Sequence, residues 1–266
     1  MAAHVEYLLH LADNALILGQ RNAEWCGHGP ILEEDLALAN NSLDLIGQAR
    51  MLYQHVAKLK NAGNLDEDQV TEDTLAYFRN EPEFRNYTLL ELPHRAALVP
   101  AASGDRDYAV TIVRNFLFSA LMVLVWEQLK TSKDAQLAAI AAKSFKECQY
   151  HLRHAHDWLV RMGDGTEASH ERVQNALNHL FSYTQEFWTP SEMEADAVKS
   201  GIGTDVKSLQ DAWNTIVDDA LAEATLKRPA AGGFVSTGKL GVHSEHLSLV
   251  LGEMQSLARM HPTAVW

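Results

Sequence analysis

Apolar residues recur at the spacing of an α-helix along most of this chain, and strand-like alternation is nearly absent. Residues 5 to 25 show the pattern most plainly. There it is carried by Leu8, Leu11, Ala15 and Leu18. Because positions three and four apart share one face of a helix, whereas a half-buried strand alternates every second residue, this spacing predicts an all-α fold.

The same periodicity returns in several later segments. Helices are predicted at residues 31–59, 107–130, 135–162, 170–188, 205–226 and 244–259. Between the first and second of these, Pro82, Pro93 and Pro100 exclude one continuous helix. Two helical hairpins joined by a long crossover are the plan of a ferritin-like bundle. We therefore predict a single ferritin-like helical domain over residues 1–266, with a long crossover and extra C-terminal helices.

The charge and the cysteines restrict the partners and the compartment. The chain has 22 Lys and Arg against 35 Asp and Glu, a formal net charge of -13, which disfavours binding to phosphate backbones or anionic lipid. The most apolar run, residues 116–126, is shorter than the roughly 20 residues of a membrane span. Cys26 and Cys148 form no CxxC pair, and the N-terminus lacks signal-peptide features. We expect a cytoplasmic protein with neither a nucleic-acid nor a membrane partner.

A ferritin-like bundle can be tested for a di-iron centre by counting its ligands. In di-iron members one helix of each hairpin contributes a Glu and the next contributes Glu-x-x-His, because positions i and i+3 share a face. In the first hairpin the second motif reads Asp44-Leu45-Ile46-Gly47, with glycine in the histidine position. A spacing of roughly thirty residues between antiparallel helices of this length places Asp13 and Asn14 opposite this motif.

The second hairpin retains fewer ligands. Its motif reads Glu147-Cys148-Gln149-Tyr150, with tyrosine in the histidine position, and the facing residues are Phe116 and Leu117. Two iron ions need more donors than these positions offer. We expect no metal, no cofactor and no catalytic residue in this chain. The predicted vestigial di-iron positions are Asp13, Asp44, Gly47, Glu147, Tyr150 and His151.

Two patterns keep a metal site open as an alternative. Glu147 and His151 lie four residues apart and share a helical face, although His151 could equally form a hydrogen bond in the core. The string His243-Ser244-Glu245-His246 has the composition of a metal cluster, but Ser244 is more simply the N-cap of the last helix. One rival hypothesis is therefore a di-iron oxygenase that binds iron through Glu147, His151, Asp44 and Asp13.

Longer strings carry a family resemblance. They are Asp13-Asn14, Gln20-Arg21, Glu24-Trp25-Cys26-Gly27-His28, Asp35-Leu36-Ala37-Leu38-Ala39-Asn40, Leu43-Asp44-Leu45, Gly47-Gln48-Ala49-Arg50, Lys146-Glu147, Tyr150-His151-Leu152-Arg153, Glu245-His246-Leu247 and Glu253-Met254-Gln255. Together they resemble the family of C subunits of the bacterial 1,2-phenylacetyl-CoA epoxidases over nearly the whole chain. The chain departs from that pattern at residues 61–72, where the linker is longer, and at residues 94–103.

The resemblance implies a component of a multicomponent oxygenase of aerobic phenylacetate degradation. In such an oxygenase a homologous catalytic subunit holds the di-iron centre and inserts one oxygen atom into the aromatic ring of the CoA thioester. A reductase with flavin and an iron-sulfur cluster supplies electrons from NADPH. The resemblance thus implies that this chain is the structural, non-catalytic partner of the catalytic di-iron subunit, which agrees with the independent ligand count.

Two segments are candidates for contact with phenylacetyl-CoA or with the catalytic subunit. The first follows Pro82 and consists of Glu83, Phe84, Arg85 and Asn86. The second consists of Ala195, Asp196 and Ala197. Arg85 has the charge to meet a phosphate of the CoA. The alternative for both segments is a solvated surface without a ligand. A second rival hypothesis for the chain is a free-standing acyl-CoA-binding or scaffold protein.

Overall fold

The computed structural model describes residues 2–62, 69–95, 106–230 and 232–264, and these residues form an all-α, ferritin-like fold. The helices, in chain order, are α1 (Ala2–Ala23), α2 (Leu32–Lys60), α3 (Glu72–Tyr77), α4 (Thr88–Glu91), α5 (Tyr108–Leu129), α6 (Ala135–Gly163), α7 (Glu167–Leu180), α8 (Glu192–Ser200), α9 (Gln210–Glu223) and α10 (Glu245–Met260). Extended pairing among the described residues is limited to one isolated bridge between Thr237 and Val242. Pro100 and parts of the two departures at 61–72 and 94–103 lie outside the described residues.

The chain separates into two compact units. The first unit comprises Met1–Leu92, Ser191–Ile202 and Thr237–Trp266, and the second comprises Pro93–Pro190 and Gly203–Ser236. Each unit contains one long helical hairpin, α1 with α2 in the first and α5 with α6 in the second. The expectation of a single domain over residues 1–266 stays a prediction.

In the first unit α1 is buried along nearly its whole length, because apolar residues occupy almost every face of this helix. The chain leaves α1 through a turn in which Gly27 adopts a positive φ of 78°. Gly19 is the point of closest approach to α2, since a Cβ there would lie 3.2 Å from Ile46 and 3.3 Å from Leu45. This contact fixes the register of the antiparallel hairpin.

In the second unit α5 is the core helix. Phe116, Leu117 and Leu121 are fully buried, and Trp213 of α9 donates its indole N–H to the Leu117 carbonyl at 3.1 Å. By length and composition α5 would also suit a membrane span, but 89% of its most apolar window is buried inside the protein. The C-terminal end of α6 lies against the chain that follows α9, where Gly163 leaves no room for a Cβ beside Ala224.

Candidate functional site

Asp13 is fully buried, and its carboxylate is satisfied by protein groups. Arg79 forms an ion pair with it, donating from Nη2 to Oδ1 and from Nη1 to Oδ2 at 3.1 Å. The hydroxyl of Tyr53 donates to Oδ1 at 2.5 Å, and the backbone N–H of Arg85 donates to Oδ2 at 2.8 Å. Both oxygens of the predicted ligand therefore carry charge-assisted hydrogen bonds, and a fixed guanidinium supplies the positive charge.

Arg79 is itself held rigidly. Its Nε donates to the Leu75 carbonyl at 2.6 Å, Nη1 also donates to the Glu83 carbonyl at 2.9 Å, and the guanidinium lies 4.2 Å from the ring centroid of Phe84. Burial alone would lower the pKa of Arg79, but the charge of Asp13 outweighs it, so the pKa is raised. Arg79 is thus a permanent cation beside Asp13.

The structure places Asp13 and Asp44 at different levels of the first hairpin. Tyr53, which bonds Asp13, lies nine residues after Asp44, about 13 Å along the axis of α2. Asp44 and Gly47 are both half-buried, and a Cβ at Gly47 would meet open space. The contact of Gly19 with Leu45 gives the reason for these different levels. In an antiparallel hairpin with this pairing, Asp44 lies level with about residue 20 and Asp13 with about residue 51.

In the second hairpin the buried positions of α6 are shifted by one residue from the predicted motif positions, Glu147 and Tyr150. Cys148 and His151 are buried, whereas Glu147 is half-buried and Tyr150 is 44% exposed. The Glu147 carboxylate accepts a hydrogen bond from Lys143 at 2.6 Å. Burial, with a further contribution from the charge of Glu147, raises the pKa of the Cys148 thiol, which donates to the Ser119 carbonyl at 3.5 Å. A neutral thiol of this kind is a poor metal ligand.

Helix α5, which packs against α6, has a buried cation and no buried carboxylate. The charged residues within α5 are Arg114 and Glu127. Glu127 lies near the end of the helix and pairs with Lys130. Arg114 is fully buried, and its Nη2 lies 2.9 Å from Nδ1 of His94. A di-iron protein would need an acid in this helix near the middle of the hairpin.

Half of the first segment proposed for ligand contact is internal, since Glu83 is exposed and Arg85 is half-buried. Phe84 and Asn86 are fully buried, and Glu83 accepts a hydrogen bond from the backbone N–H of Asn80 at 2.7 Å. Arg85 donates to Glu6 at 3.0 Å and to the carbonyls of Pro82 and Phe84 at 2.7 and 2.9 Å. These contacts use the Arg85 guanidinium to hold the segment against α1.

The second segment is partly accessible. Ala195 and Asp196 are exposed on α8, whereas Ala197 is fully buried. Asp196 lines an open cavity of about 490 Å³ together with His4 and Lys199. The cavity therefore presents one acid and two basic groups to solvent.

The sequence did not identify two further buried polar clusters in the first unit. In the first cluster Glu91 accepts hydrogen bonds from Asn86 at 2.8 Å, from Nδ1 of His243 at 2.8 Å and from the backbone N–H of Ser244 at 2.6 Å. Ser244 caps α10 as predicted, with its hydroxyl accepting from the N–H of His246 at 3.3 Å. His243 therefore serves as a structural partner of a buried carboxylate.

The second cluster joins α8 to the segment before α10. Lys239 donates to Glu194 at 2.7 Å, and the two side chains are 3% and 4% exposed. Ser191 caps α8 and donates its hydroxyl to the same carboxylate at 2.7 Å. The capping box Ser191-x-x-Glu194 was visible in the sequence, but its pairing with a residue 45 positions later depends on tertiary structure.

Comparison with known proteins identifies relatives of this chain. A family model described as "Phenylacetic acid catabolic protein" matches residues 1–266. A curated protein of Escherichia coli (strain K12), the C subunit of 1,2-phenylacetyl-CoA epoxidase, is 42% identical over 260 residues, which cover 98% of this chain and 98% of that protein.

Proposed function

Since this chain belongs to the phenylacetic acid catabolic protein family, we propose that it is a structural, non-catalytic subunit of a cytoplasmic 1,2-phenylacetyl-CoA epoxidase. Its partners are a catalytic di-iron subunit, further subunits and a reductase. This chain itself carries no cofactor. The name of the E. coli relative, which is similar along the whole chain, supports membership of such a complex.

The observation that carries the non-catalytic role is the ion pair between Asp13 and Arg79. A carboxylate that binds iron must offer a free lone pair and a charge that no other group neutralises, whereas Asp13 has both oxygens hydrogen-bonded and its charge neutralised by Arg79. The rest of the donor set also fits di-iron poorly, because Glu147 is paired with Lys143 and Cys148 is a neutral thiol.

The same contacts support a structural role. Arg79, at the end of α3, bonds α1 through Asp13, and Gln255 of α10 donates to the carbonyls of Ala76 and Arg79 at 3.1 and 3.0 Å. These hydrogen bonds hold α1, α3 and α10 in one fixed arrangement. A rigid helical surface can restrict the motion of a partner whose ligand helices must keep their geometry. We propose that this is what the chain supplies to its di-iron partner.

Iron analysis separates this role from the di-iron rival. The chain is purified alone, incubated with ferrous iron under anaerobic conditions, desalted and measured by elemental analysis. We expect well under one iron per chain and no oxygen-dependent turnover of phenylacetyl-CoA. About two irons per chain with turnover in the absence of any partner would establish the rival instead.

Co-purification separates it from the free-standing acyl-CoA binder. The chain is co-expressed with a tagged form of the catalytic di-iron partner, and we expect a stable complex with iron confined to that partner. Titration of the isolated chain with phenylacetyl-CoA in a calorimeter provides the contrasting measurement. Binding of the thioester without any complex would favour the free-standing protein. If phenylacetyl-CoA contacts this chain within the complex, we expect the ligand to lie closer to the exposed Ala195 and Asp196 than to the buried Phe84 and Asn86.

A further inference from the structure

A cavity of about 540 Å³ lies in the first unit between α3 and α10. Its volume falls within the roughly 300–1,000 Å³ of small-molecule binding sites. The α3 side contributes Tyr77 and Phe78, and α10 contributes Met254 and Leu257. Phe78 and Leu257 are 40% and 52% exposed, so water contacts apolar surface here that a ligand would cover. We call this space the α3–α10 cavity.

The two walls of the α3–α10 cavity are fastened to each other by side chains of α10. Gln255 donates to the carbonyls of Ala76 and Arg79 at 3.1 and 3.0 Å. Arg259 donates to the carbonyls of Tyr77 and Arg79 at 3.2 and 2.9 Å. The walls cannot separate without breaking these hydrogen bonds. The cavity is therefore preformed, and a ligand need not order it on binding.

The charges at the α3–α10 cavity favour a cation. Asp73 lines the cavity, and within the part of the chain that the structure describes its carboxylate forms no ion pair. The neighbouring acid, Glu72, is by contrast held by Gln54 at 2.8 Å and by Arg50 at 3.4 Å. Among the described residues that line the cavity there is no lysine or arginine. An anionic ligand would therefore meet a negative charge that no lining cation offsets.

The aromatic rings near Asp73 suit the same class of ligand. The face of a tyrosine or phenylalanine ring attracts a cation through its quadrupole, and sites for organic ammonium ions use such rings. Burial raises the pKa of the Tyr77 hydroxyl and the charge of Asp73 raises it further, so Tyr77 stays a neutral phenol beside this carboxylate. The flexible thioether of Met254 provides an adaptable apolar surface for a hydrocarbon group.

We infer that the α3–α10 cavity binds a small organic ammonium ion. Its charged head lies beside Asp73 and the rings of Tyr77 and Phe78, and its apolar part lies against Met254 and Leu257. The occupant is a free small molecule, because the acid and the apolar surface line one cavity of the size that takes a whole ligand. This site goes beyond the proposed function, since it requires neither a di-iron partner nor a complex.

Calorimetric titration of the purified chain with three ligands of similar shape tests the inference. The ligands are 2-phenylethylammonium, its neutral analogue 2-phenylethanol, and the anion phenylacetate. Because His261 also lines the cavity, the titrations are done at pH 8, where histidine side chains are ordinarily neutral. We expect one ammonium ion to bind per chain, about fivefold or more tightly than the alcohol. Phenylacetate should bind more weakly than both.

Three single variants assign the binding to this cavity. Asp73→Asn removes the carboxylate and keeps its shape, whereas Glu253→Gln removes another exposed acid, on α10, that does not line the cavity. We expect Asp73→Asn to weaken binding of the ammonium ion about fivefold, to the affinity of the alcohol, and Glu253→Gln to bind as the wild type does. Ala258→Trp fills the cavity and should abolish binding of both ligands. Circular dichroism and thermal melting establish that each variant is folded.

The inference is wrong if the ammonium ion does not saturate the chain, if phenylacetate binds as tightly, or if Asp73→Asn changes nothing. Equal losses for Asp73→Asn and Glu253→Gln would indicate a general effect of charge and would also overturn it. If sedimentation shows a dimer of the chain that Ala258→Trp abolishes, a second copy occupies the cavity and the inference fails. These results leave the proposed function standing, because iron content and complex formation test it separately.

Discussion

At the scale of single residues, buried charges in the first unit are compensated by other side chains. Asp13 is paired with Arg79, Glu194 with Lys239 and Glu91 with His243. A compensated pair of this kind adds modest net stability, but removal of one member leaves a buried charge that water cannot reach. The consequences of each pair are therefore best measured by removing one partner and then both.

The ion pair at the predicted ligand position gives the first prediction. Arg79→Met removes the cation and leaves the Asp13 carboxylate buried beside Tyr53. We expect the free energy of unfolding to fall by about 3–5 kcal/mol, the usual cost of an uncompensated buried charge. Urea denaturation followed by circular dichroism measures the change.

The double variant Asp13→Asn/Arg79→Met is the control for this prediction. Because the buried anion is then also removed, part of the lost stability should return. If Arg79→Met alone costs less than about 1 kcal/mol, the pair is not the compensated buried charge described here.

The pair of Glu91 with His243 predicts a dependence of stability on pH. Burial alone would lower the pKa of His243, but the hydrogen bond and charge of Glu91 outweigh it and raise the pKa above 6.5. A raised pKa in the folded state stabilises the protein fully below pH 6.5, and this stabilisation disappears as the pH rises through the folded pKa. We expect the difference in unfolding free energy between wild type and His243→Gln to be larger at pH 6 than at pH 9.

The difference between the two proteins is the quantity to measure, since other groups also titrate. Burial lowers the pKa of His10, so its effect has the opposite sign and is lost as the pH falls below 6.5. His10 is present in both proteins, and its contribution cancels in the difference. A difference that grows with pH would contradict the assignment of a charged His243.

At the scale of secondary structure, the sequence predicted the bounds of the helices better than it predicted which face of each helix is buried. Helices α1, α2, α5, α6 and α10 begin and end within three residues of the predicted bounds, because a long amphipathic segment is recognised by its period. The segment predicted at 205–226 proved to be a 3₁₀ helix, Val206–Leu209, followed by α9. Helix α8 is shorter and was not predicted, although Ser191 and Glu194 have the spacing of a capping box. The predicted segment at 170–188 proved to be α7 followed by a 3₁₀ helix, Phe181–Trp188.

The register of the hairpins and the buried face of each helix could not be obtained from counting residues along the sequence. The observed register of the first hairpin follows from the tight contact at Gly19, and the buried i, i+3 pair of α6 is Cys148 and His151. Both depend on how two surfaces pack. The partner of Asp13 was equally hidden, because Arg79 comes from the crossover, 66 residues later in the chain. The assignment of vestigial di-iron positions accordingly stays a prediction, and the paired Asp13 is the position that the structure explains best.

Two helical glycines with opposite surroundings give a prediction at this scale. At Gly47 a Cβ meets open space, so Gly47→Ala should raise stability by about 0.5–1 kcal/mol through helix propensity. At Gly163 a Cβ would overlap the Ala224 carbonyl oxygen, so Gly163→Ala must displace the end of α6 and should cost about 1–3 kcal/mol.

Thermal melting of both glycine variants against the wild type checks the prediction. Each variant serves as the control for the other, since the chemical change is the same methyl group. Equal melting temperatures for the two would show that the contact between Gly163 and Ala224 does not constrain the second unit.

At the scale of the whole molecule, the proposed role depends on surfaces and not on a reaction centre. Helix α2 exposes Leu32, Leu36 and Leu43 on the surface, and the net charge of -13 disfavours polyanions as partners. Complex formation is therefore the property that variants should change, and the turnover of the assembled enzyme should follow it.

The assembled epoxidase gives the prediction at this scale. Glu147 pairs with Lys143 near the surface of α6, so Glu147→Ala should leave the iron content of the complex unchanged. We expect turnover per assembled complex to stay within about twofold of the wild-type value, as for other surface substitutions. Elemental analysis and oxygen consumption on the purified complex provide the two readouts. A lower iron content in the complex that carries Glu147→Ala would instead identify Glu147 as a ligand.

The guanidinium at Asp13 has one further consequence. A bound metal can be withdrawn by chelators, lost when iron is scarce or oxidised in place, whereas an arginine side chain is covalently part of the polypeptide. This chain should therefore fold and melt identically in EDTA, in iron-depleted medium and under reductant.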